Sequence, residues 1–302
     1  MASDPLHPLG VVHLIRRQNG VPVAERFFHS YDRNPAGADH GLILIFKGFE
    51  GRVDPEYDRV LSGRQYHSLF VPDRGFDIEP YYLAAQAFPC EHFCFLNSFS
   101  QFLDRDWLAK LYAAAGGASV GAASATGSWG TFYSHRKGER KQAWAEIRRR
   151  HGRAWFAAAK EIGLWAARDV KYAILFPDFP GPHLRTNALV MSRENVLATW
   201  KGVSIPSKMA AWRFEHGRNS MTRKLARRGL RVVVVGKDGR SYAQDEWIDS
   251  KTFWRGDQEN LLVSDNQTER YARGDDATRS RLSEGAWGRQ FSRPAKPGAT
   301  HV

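Results

Sequence analysis

Apolar positions recur along this chain in two rhythms, short continuous runs and three- and four-residue steps, and the two alternate from the first residues onward. Val11-Val12-His13-Leu14-Ile15-Arg16 predicts a strand, and Val23 to Tyr31 has helical spacing after the Asn19-Gly20 turn. Gly41 to Phe46 is apolar at every position between its glycine and Lys47-Gly48, the pattern of a strand buried on both faces inside a parallel sheet. Ser68 to Asp73 and Phe93 to Leu96 predict further strands. Helices are expected from Asp77, read as an N-cap, to Ala85, and from Asp106 to Tyr112. Ser119 to Ala123 begins another extended piece, after which the alternation pauses at the Gly/Ser/Thr-rich stretch Ser124 to Gly130. Together these predict an α/β class, a single domain whose mostly parallel central sheet is flanked by helices.

From Glu139 to about Asp169, Trp144, Ile147, Trp155, Ala158, Ile162 and Trp165 recur at helical steps across a gap at His151-Gly152, predicting one long or broken amphipathic helix. Tryptophans on one face and arginines on the other suit a helix lying on a membrane surface. They equally suit a helix packed on the core with a solvated basic face. After Ala272 the residues become Gly, Asp, Ser, Arg, Pro and Lys, so the domain is expected over 1–272 and a disordered basic tail over 273–302.

Composition narrows the class. The 302 residues are 42% hydrophobic and 13% aromatic, with no Pro/Gly/Ser-rich linker dividing them. No run approaches the roughly 18 apolar residues of a membrane span, and Met1 to Pro5 does not open a secretory leader, so a cytoplasmic location is expected, with the inner face of the plasma membrane as one place for it. Cys90 and Cys94 flank His92 without a second cysteine pair to complete a zinc site, which favours buried thiols. A net charge of +12 points to an anionic partner. No zinc-finger spacing, aromatic ribonucleoprotein box or helix-turn-helix is present, so nucleic acid is not the expected one.

Ligands of open α/β sheets sit beyond the carboxyl ends of the strands, which nominates Arg16, Arg17, Lys47, Gly48, Asp73 and Asn97. Asp73-Arg74-Gly75-Phe76-Asp77 would set a carboxylate on a ribose or base edge, or simply form a turn. The densest chemistry lies between His183 and Gly239. His183-Leu184-Arg185-Thr186-Asn187 leads into an apolar run to Arg193, Phe214-Glu215-His216-Gly217 follows, and Met221 to Gly229 reads as a helix before the strand Leu230 to Val235.

In that order the segments resemble a nucleotide-sugar glycosyltransferase of the GT-A type, family-2-like, over roughly residues 10 to 240. An Asn-Ser turn after a strand and a later His-x-x-Thr segment are also similar to rhamnan-synthesis-type polysaccharide proteins. The resemblance implies transfer of a sugar from a nucleotide sugar to a bacterial surface polysaccharide or lipid-linked glycan. Glu215 falls where the catalytic base is expected, at the start of a helix whose dipole would keep it ionised, and His216 replaces the usual Asp. Glu215 as a mere helix cap is the plainer alternative. Lys47, Asp73, Asp77, Asn97, Ser98, Arg185 and Asn187 are then the donor-binding candidates. The resembled enzymes hold Mn²⁺ or Mg²⁺ with Asp-x-Asp where this chain has Asn97-Ser98-Phe99, so that element is not intact. Arg185, or the basic cluster near Arg213 and Arg218, would instead neutralise the diphosphate. A non-catalytic sugar- or nucleotide-binding module is the competing class.

Overall fold

In the computed structural model, which describes residues 7–289, the chain opens with β1 (Leu9–Arg16), α1 (Val21–Arg33), β2 (Gly41–Lys47), α2 (Asp58–Leu61) and β3 (His67–Val71). It continues with α3 (Ile78–Ala87), β4 (His92–Leu96), β5 (Gln101–Phe102), α4 (Trp107–Ala115), β6 (Val120–Ser124), β7 (Gly127–Ser128), α5 (Phe132–His151) and α6 (Trp155–Leu175). Beyond these lie β8 (His183–Leu184), β9 (Leu189–Ser192), α7 (Arg193–Trp200), α8 (Lys208–His216), α9 (Met221–Arg227), β10 (Arg231–Val235), β11 (Ser241–Tyr242), β12 (Val263–Ser264), α10 (Asn266–Ala272) and α11 (Asp276–Trp287).

Eight strands form one sheet in the order β11-β10-β6-β9-β4-β1-β2-β3. Strands β3, β2, β1 and β4 run parallel, as do β6 and β10, while β9 between β4 and β6 runs the other way and β11 is an antiparallel edge. This is the expected α/β class, with a mostly parallel central sheet between helical layers. Successive residues serve opposite faces. Val12, Leu14, Ile43, Ile45, Phe93 and Phe95 pack with Tyr81, Trp200, Phe214 and Leu225 of α3, α7, α8 and α9. Val11, Ile15, Leu42, Leu44, Cys94 and Leu96 pack with Phe27, Trp107 and Leu111 of α1 and α4. Both cysteines are buried, and burial pushes the Cys90 thiol up to about 11.

Of the two forms expected for the segment from Glu139 to Asp169, the broken one is found, as the pair α5 and α6 separated at Gly152, whose φ of 50° lies in the left-handed region. Two other expectations change. The indoles of Trp144 and Trp165 meet at 6.3 Å, edge to face, whereas Trp155 is 63% exposed, so the three tryptophans do not share one face. Beyond Ala272 the chain does not lose its structure at once, because α11 is capped by Asp275 and buries Leu282, Ala286 and Trp287. Trp287 donates to the Phe253 carbonyl at 2.8 Å and its ring lies 5.4 Å from that of Trp129. Gly130 permits this docking, since a Cβ there would fall 2.2 Å from the Gly285 carbonyl oxygen. A segment average hid these few apolar anchors. Residues 290–302 of the expected tail lie outside the described residues.

His13 stacks on Phe27 with ring centroids 3.4 Å apart, and burial pushes its pKa down to about 3. Burial likewise pushes His183 down to about 4. Both folded-state values lie below the ordinary value, so the unfolded chain takes up protons first as the pH falls. Their share of stability is fully present above about pH 6.5 and is lost as the pH drops towards 3. Denaturant midpoints should therefore fall below that pH, with a slope approaching about 1.4 kcal/mol per pH unit per histidine. His13→Phe, which preserves the stack, should flatten the slope, and an unchanged slope would contradict the assignment.

Candidate active site

All parallel strands present their carboxyl ends to one edge of the sheet, and β9, running in reverse, is approached by the chain from that same edge. Arg16, Lys47, Asp73 and Asn97 therefore meet Arg185, Thr186 and Asn187 there, although their positions in sequence are far apart. The outer part is an open cleft of about 710 Å³ whose lining includes Arg16, Lys47, Asp73, Arg74, Asp77 and Glu79. Arg16 grips Asp73 with two hydrogen bonds, both 2.8 Å, which hold the Asp73 carboxyl below its usual range. Lys47 lies 3.6 Å from Asp73 and donates to the Phe76 carbonyl at 2.6 Å; burial lowers its pKa against the pull of Asp77 and Asp73. Glu79 accepts from the Ile205 N–H at 2.5 Å and so ties the opposite wall, Val203 to Pro206, to α3.

The inner part is a cluster of carboxylates about one guanidinium. Arg185 reaches Asp265 at 2.9 Å and lies 4.5 Å over the Phe253 ring, while its backbone is fixed by the Thr126 carbonyl and the Ser124 hydroxyl. Asp265 is 0% exposed, and its other oxygen accepts from the N–H groups of Gln267 and Thr268, both at 3.0 Å, capping α10. Glu215 accepts from the Thr186 hydroxyl at 2.9 Å. Burial raises the Glu215 pKa above the ordinary carboxylate value, Arg185 and Thr186 oppose the rise, and Asp77 and Asp265 add to it. Asp77 is raised chiefly by burial as well, with Lys47 and Arg16 opposing and Asp265 contributing. Asp77 thus belongs electrostatically to both parts.

The helix expected to begin at Glu215 is corrected. Ser207 caps α8, which ends at His216, so Glu215 sits in the last turn, and Ser220 caps a separate helix α9. The carbonyl end of a helix disfavours an anion, the reverse of the dipole argument from sequence. Arg185 supplies the stabilisation that the dipole does not. The Asp77 side chain makes no cap hydrogen bond on α3. His216 packs at 5.2 Å from the Phe176 ring and 5.0 Å from that of His183.

Of the seven donor-binding candidates, Lys47, Asp73 and Asp77 line the cleft. Ser98 is 6% exposed and donates to the Leu14 carbonyl at 2.7 Å, so its hydroxyl is committed to β1. The Asn187 amide oxygen accepts from the Ser100 hydroxyl at 2.5 Å and the Asn97 N–H at 3.4 Å, and its nitrogen donates to the Ser264 carbonyl. Asn187 is therefore a clasp joining the turn after β4 to β9 and β12, with no free amide face for a sugar. Sequence reasoning did not single out Glu79, and it placed Asp265 only within a polar segment, Asp265 to Thr268, able to close over the site; the capping spacing Asp265-x-x-Thr268 was the available sign of its fixed position.

A divalent cation at Asn97 to Phe99 does not fit this chain. The Asn97 oxygen already accepts from the Phe99 N–H at 2.9 Å, Ser98 is committed elsewhere, and Phe99 offers no side-chain donor atom. Among the described residues no group of three or more His, Cys, Asp and Glu side chains is arranged to hold a metal ion.

No protein-family profile matches the chain, and no curated protein does. Among solved structures it is similar to the mannosyltransferase PcManGT from Pyrobaculum calidifontis, determined with GDP-Man and Mn²⁺, at 12% identity and a TM-score of 0.44. That match covers 77% of this chain and 57% of the mannosyltransferase. It is also similar to S. aureus TarS at 11% identity and a TM-score of 0.28, over 38% of this chain and 21% of that one. At these identities and TM-scores neither likeness bears on donor, metal or acceptor.

Asp265→Ala removes a helix cap and leaves Arg185 without its ion-pair partner. A loss of about 3–5 kcal/mol in denaturant unfolding is expected, against less than about 1 kcal/mol for an exposed ion-pair residue such as Glu194→Ala. Equal effects would contradict the central place given to Asp265.

Proposed function

We propose that this chain is a glycosyltransferase that moves a sugar from a nucleotide-sugar donor to a bacterial surface polysaccharide or lipid-linked glycan, with inversion and with Glu215 as general base. The observation that carries this reading is the pairing of two unlike environments at one sheet edge. A charged cleft of about 710 Å³, lined by Arg16, Lys47 and Arg74 together with Asp73, Asp77 and Glu79, is coupled through Asp77 to Glu215, a carboxylate whose proton affinity desolvation raises. Arg16, Lys47 and Arg74 suit the diphosphate, and Asp73 or Asp77 suits ribose or base hydroxyls and N–H groups.

In the proposed reaction the acceptor hydroxyl gives its proton to Glu215 as its oxygen attacks the anomeric carbon. The bond from that carbon to the diphosphate oxygen breaks, and the departing pair of electrons stays on the nucleoside diphosphate. Charge then builds on phosphate oxygens, where fixed cations stabilise the transition state more than the ground state. Arg185 keeps Glu215 ionised in spite of its burial, while burial keeps it basic enough to accept a proton.

One observation favours a second reading. The turn at Asn97 to Phe99 contains no carboxylate, which suits a module that binds nucleotide sugar without turning it over. Calorimetric binding of a panel of UDP-, GDP- and dTDP-sugars, followed by assay of nucleoside diphosphate release with a glycan acceptor, separates the two. Turnover is expected, and Glu215→Gln should reduce kcat by about 10²- to 10⁴-fold with donor affinity retained. Saturable binding with no release under any donor and acceptor pair would favour the module. Because the base must be deprotonated, activity should decline as the pH falls through the raised Glu215 pKa. The acid limb of kcat/KM should therefore lie above the ordinary carboxylate value near 4.5.

A further inference from the structure

Helices α5 and α6 fold back on one another across the Gly152 turn, and Glu161 of α6 bonds to His151 at 2.6 Å and to Arg150 at 3.2 Å. The root of this hairpin is fixed to the body. Phe132 stacks on Trp212 at 4.8 Å and meets Phe176 at 5.5 Å, and Arg218 donates to the carbonyls of Leu175 and Ala173. Phe176 also touches His216, the residue after Glu215, so the hairpin springs from the wall of the candidate active site.

Its outer face is apolar and uncovered. Trp155, Phe156, Leu164, Val170 and Ile174 are 63%, 71%, 54%, 62% and 67% exposed. Phe156, Ala159, Gly163, Ala167, Val170 and Ile174 follow three- and four-residue steps and form one stripe along α6. Elsewhere among the described residues the exposed large apolar side chains are Phe76, Leu83 and Leu103, which belong to separate segments. The stripe is edged by cations. Arg148, Arg149, Arg150 and Arg153 surround the turn, and Lys160, Arg168 and Lys171 follow along α6, all exposed.

We propose that this face docks the protein on an anionic lipid surface, with α6 lying in the interfacial plane. An apolar stripe edged by lysine and arginine, with Trp and Phe at one end, gains both from burial at the headgroup boundary and from attraction to acidic lipids. No helix among the described residues is long and apolar enough to cross a membrane, so α6 lies on the surface. A second copy is a poorer occupant, because it would bring the same cations together in a chain of net charge +12. The inference does not rest on the transferase reading, since the face is separate from the cleft and its test involves no nucleotide.

The test is sedimentation of the full chain with vesicles of phosphatidylcholine alone and with about 30% phosphatidylglycerol added. Binding is expected on the anionic vesicles, weakening with salt, and at least about tenfold weaker on neutral ones. The pair Phe156→Ser and Ile174→Ser, and separately the pair Lys160→Glu and Lys171→Glu, should each reduce binding by about tenfold while circular dichroism shows the native fold. Absence of binding by the folded wild type overturns the proposal, as does binding that both pairs leave unchanged. A concentration-dependent dimer in sedimentation velocity that Phe156→Ser and Ile174→Ser dissolves would assign the face to a second copy and overturn it too.

Discussion

The half-buried guanidinium of Arg185, paired with the fully buried Asp265, is the charge around which the candidate site is organised. Asp265 pairs with it directly, and burial raises the proton affinity of Glu215 and Asp77 against the pull of the surrounding cations. Holding a charge in that position requires several elements to agree. The reversed strand β9 brings Arg185 to the carboxyl edge, the loop after β6 fixes its backbone, and the cap of α10 turns Asp265 towards it. A buried ion pair contributes little net stability compared with an apolar core. Its worth here is geometric, because it fixes Arg185 between Asp265 and the Phe253 ring at the sheet edge.

From that constraint follows a division between the inner cluster and the outer cleft. Inside, the ionisable groups are held by fixed partners; outside, Arg16, Lys47 and Asp73 line open space of ligand size. Asp77 joins the two through its interactions with Lys47 and with Asp265. The turn after β4 contributes neutral hydrogen bonds through Asn97, Ser100 and Asn187, and its part is to hold the sheet edge together.

The strands were legible because a strand buried on both faces has to be apolar throughout, as Leu42 to Phe46 and Val232 to Val235 are. The positions of Arg16, Lys47 and Asp73 followed from the same runs, since residues just beyond parallel strands share an edge. Side-chain direction was not legible in this way. Whether Ser98 or Asn187 faces a ligand depends on the strands beside it, and a single sequence does not show that Leu14 and Ser100 are those neighbours. The helix carrying Glu215 was misplaced because Met221 to Gly229 dominates the local pattern. The caps Ser207 and Ser220 mark two helices instead, and each lies directly before a helical run. Trp287 illustrates a different limit: one large apolar side chain can anchor a segment whose average composition is that of a coil.

The claim most exposed to test is that the cations at the sheet edge form a nucleoside-diphosphate site. Titration calorimetry of the full chain with UDP, GDP and dTDP, on the wild type and on the double variant Arg16→Ala and Lys47→Ala, addresses it directly. Saturable one-to-one binding of one nucleotide by the wild type is expected, weakened by about tenfold or more in the double variant. Binding of none of the three by the folded wild type, or binding that the double variant leaves unchanged, would contradict it.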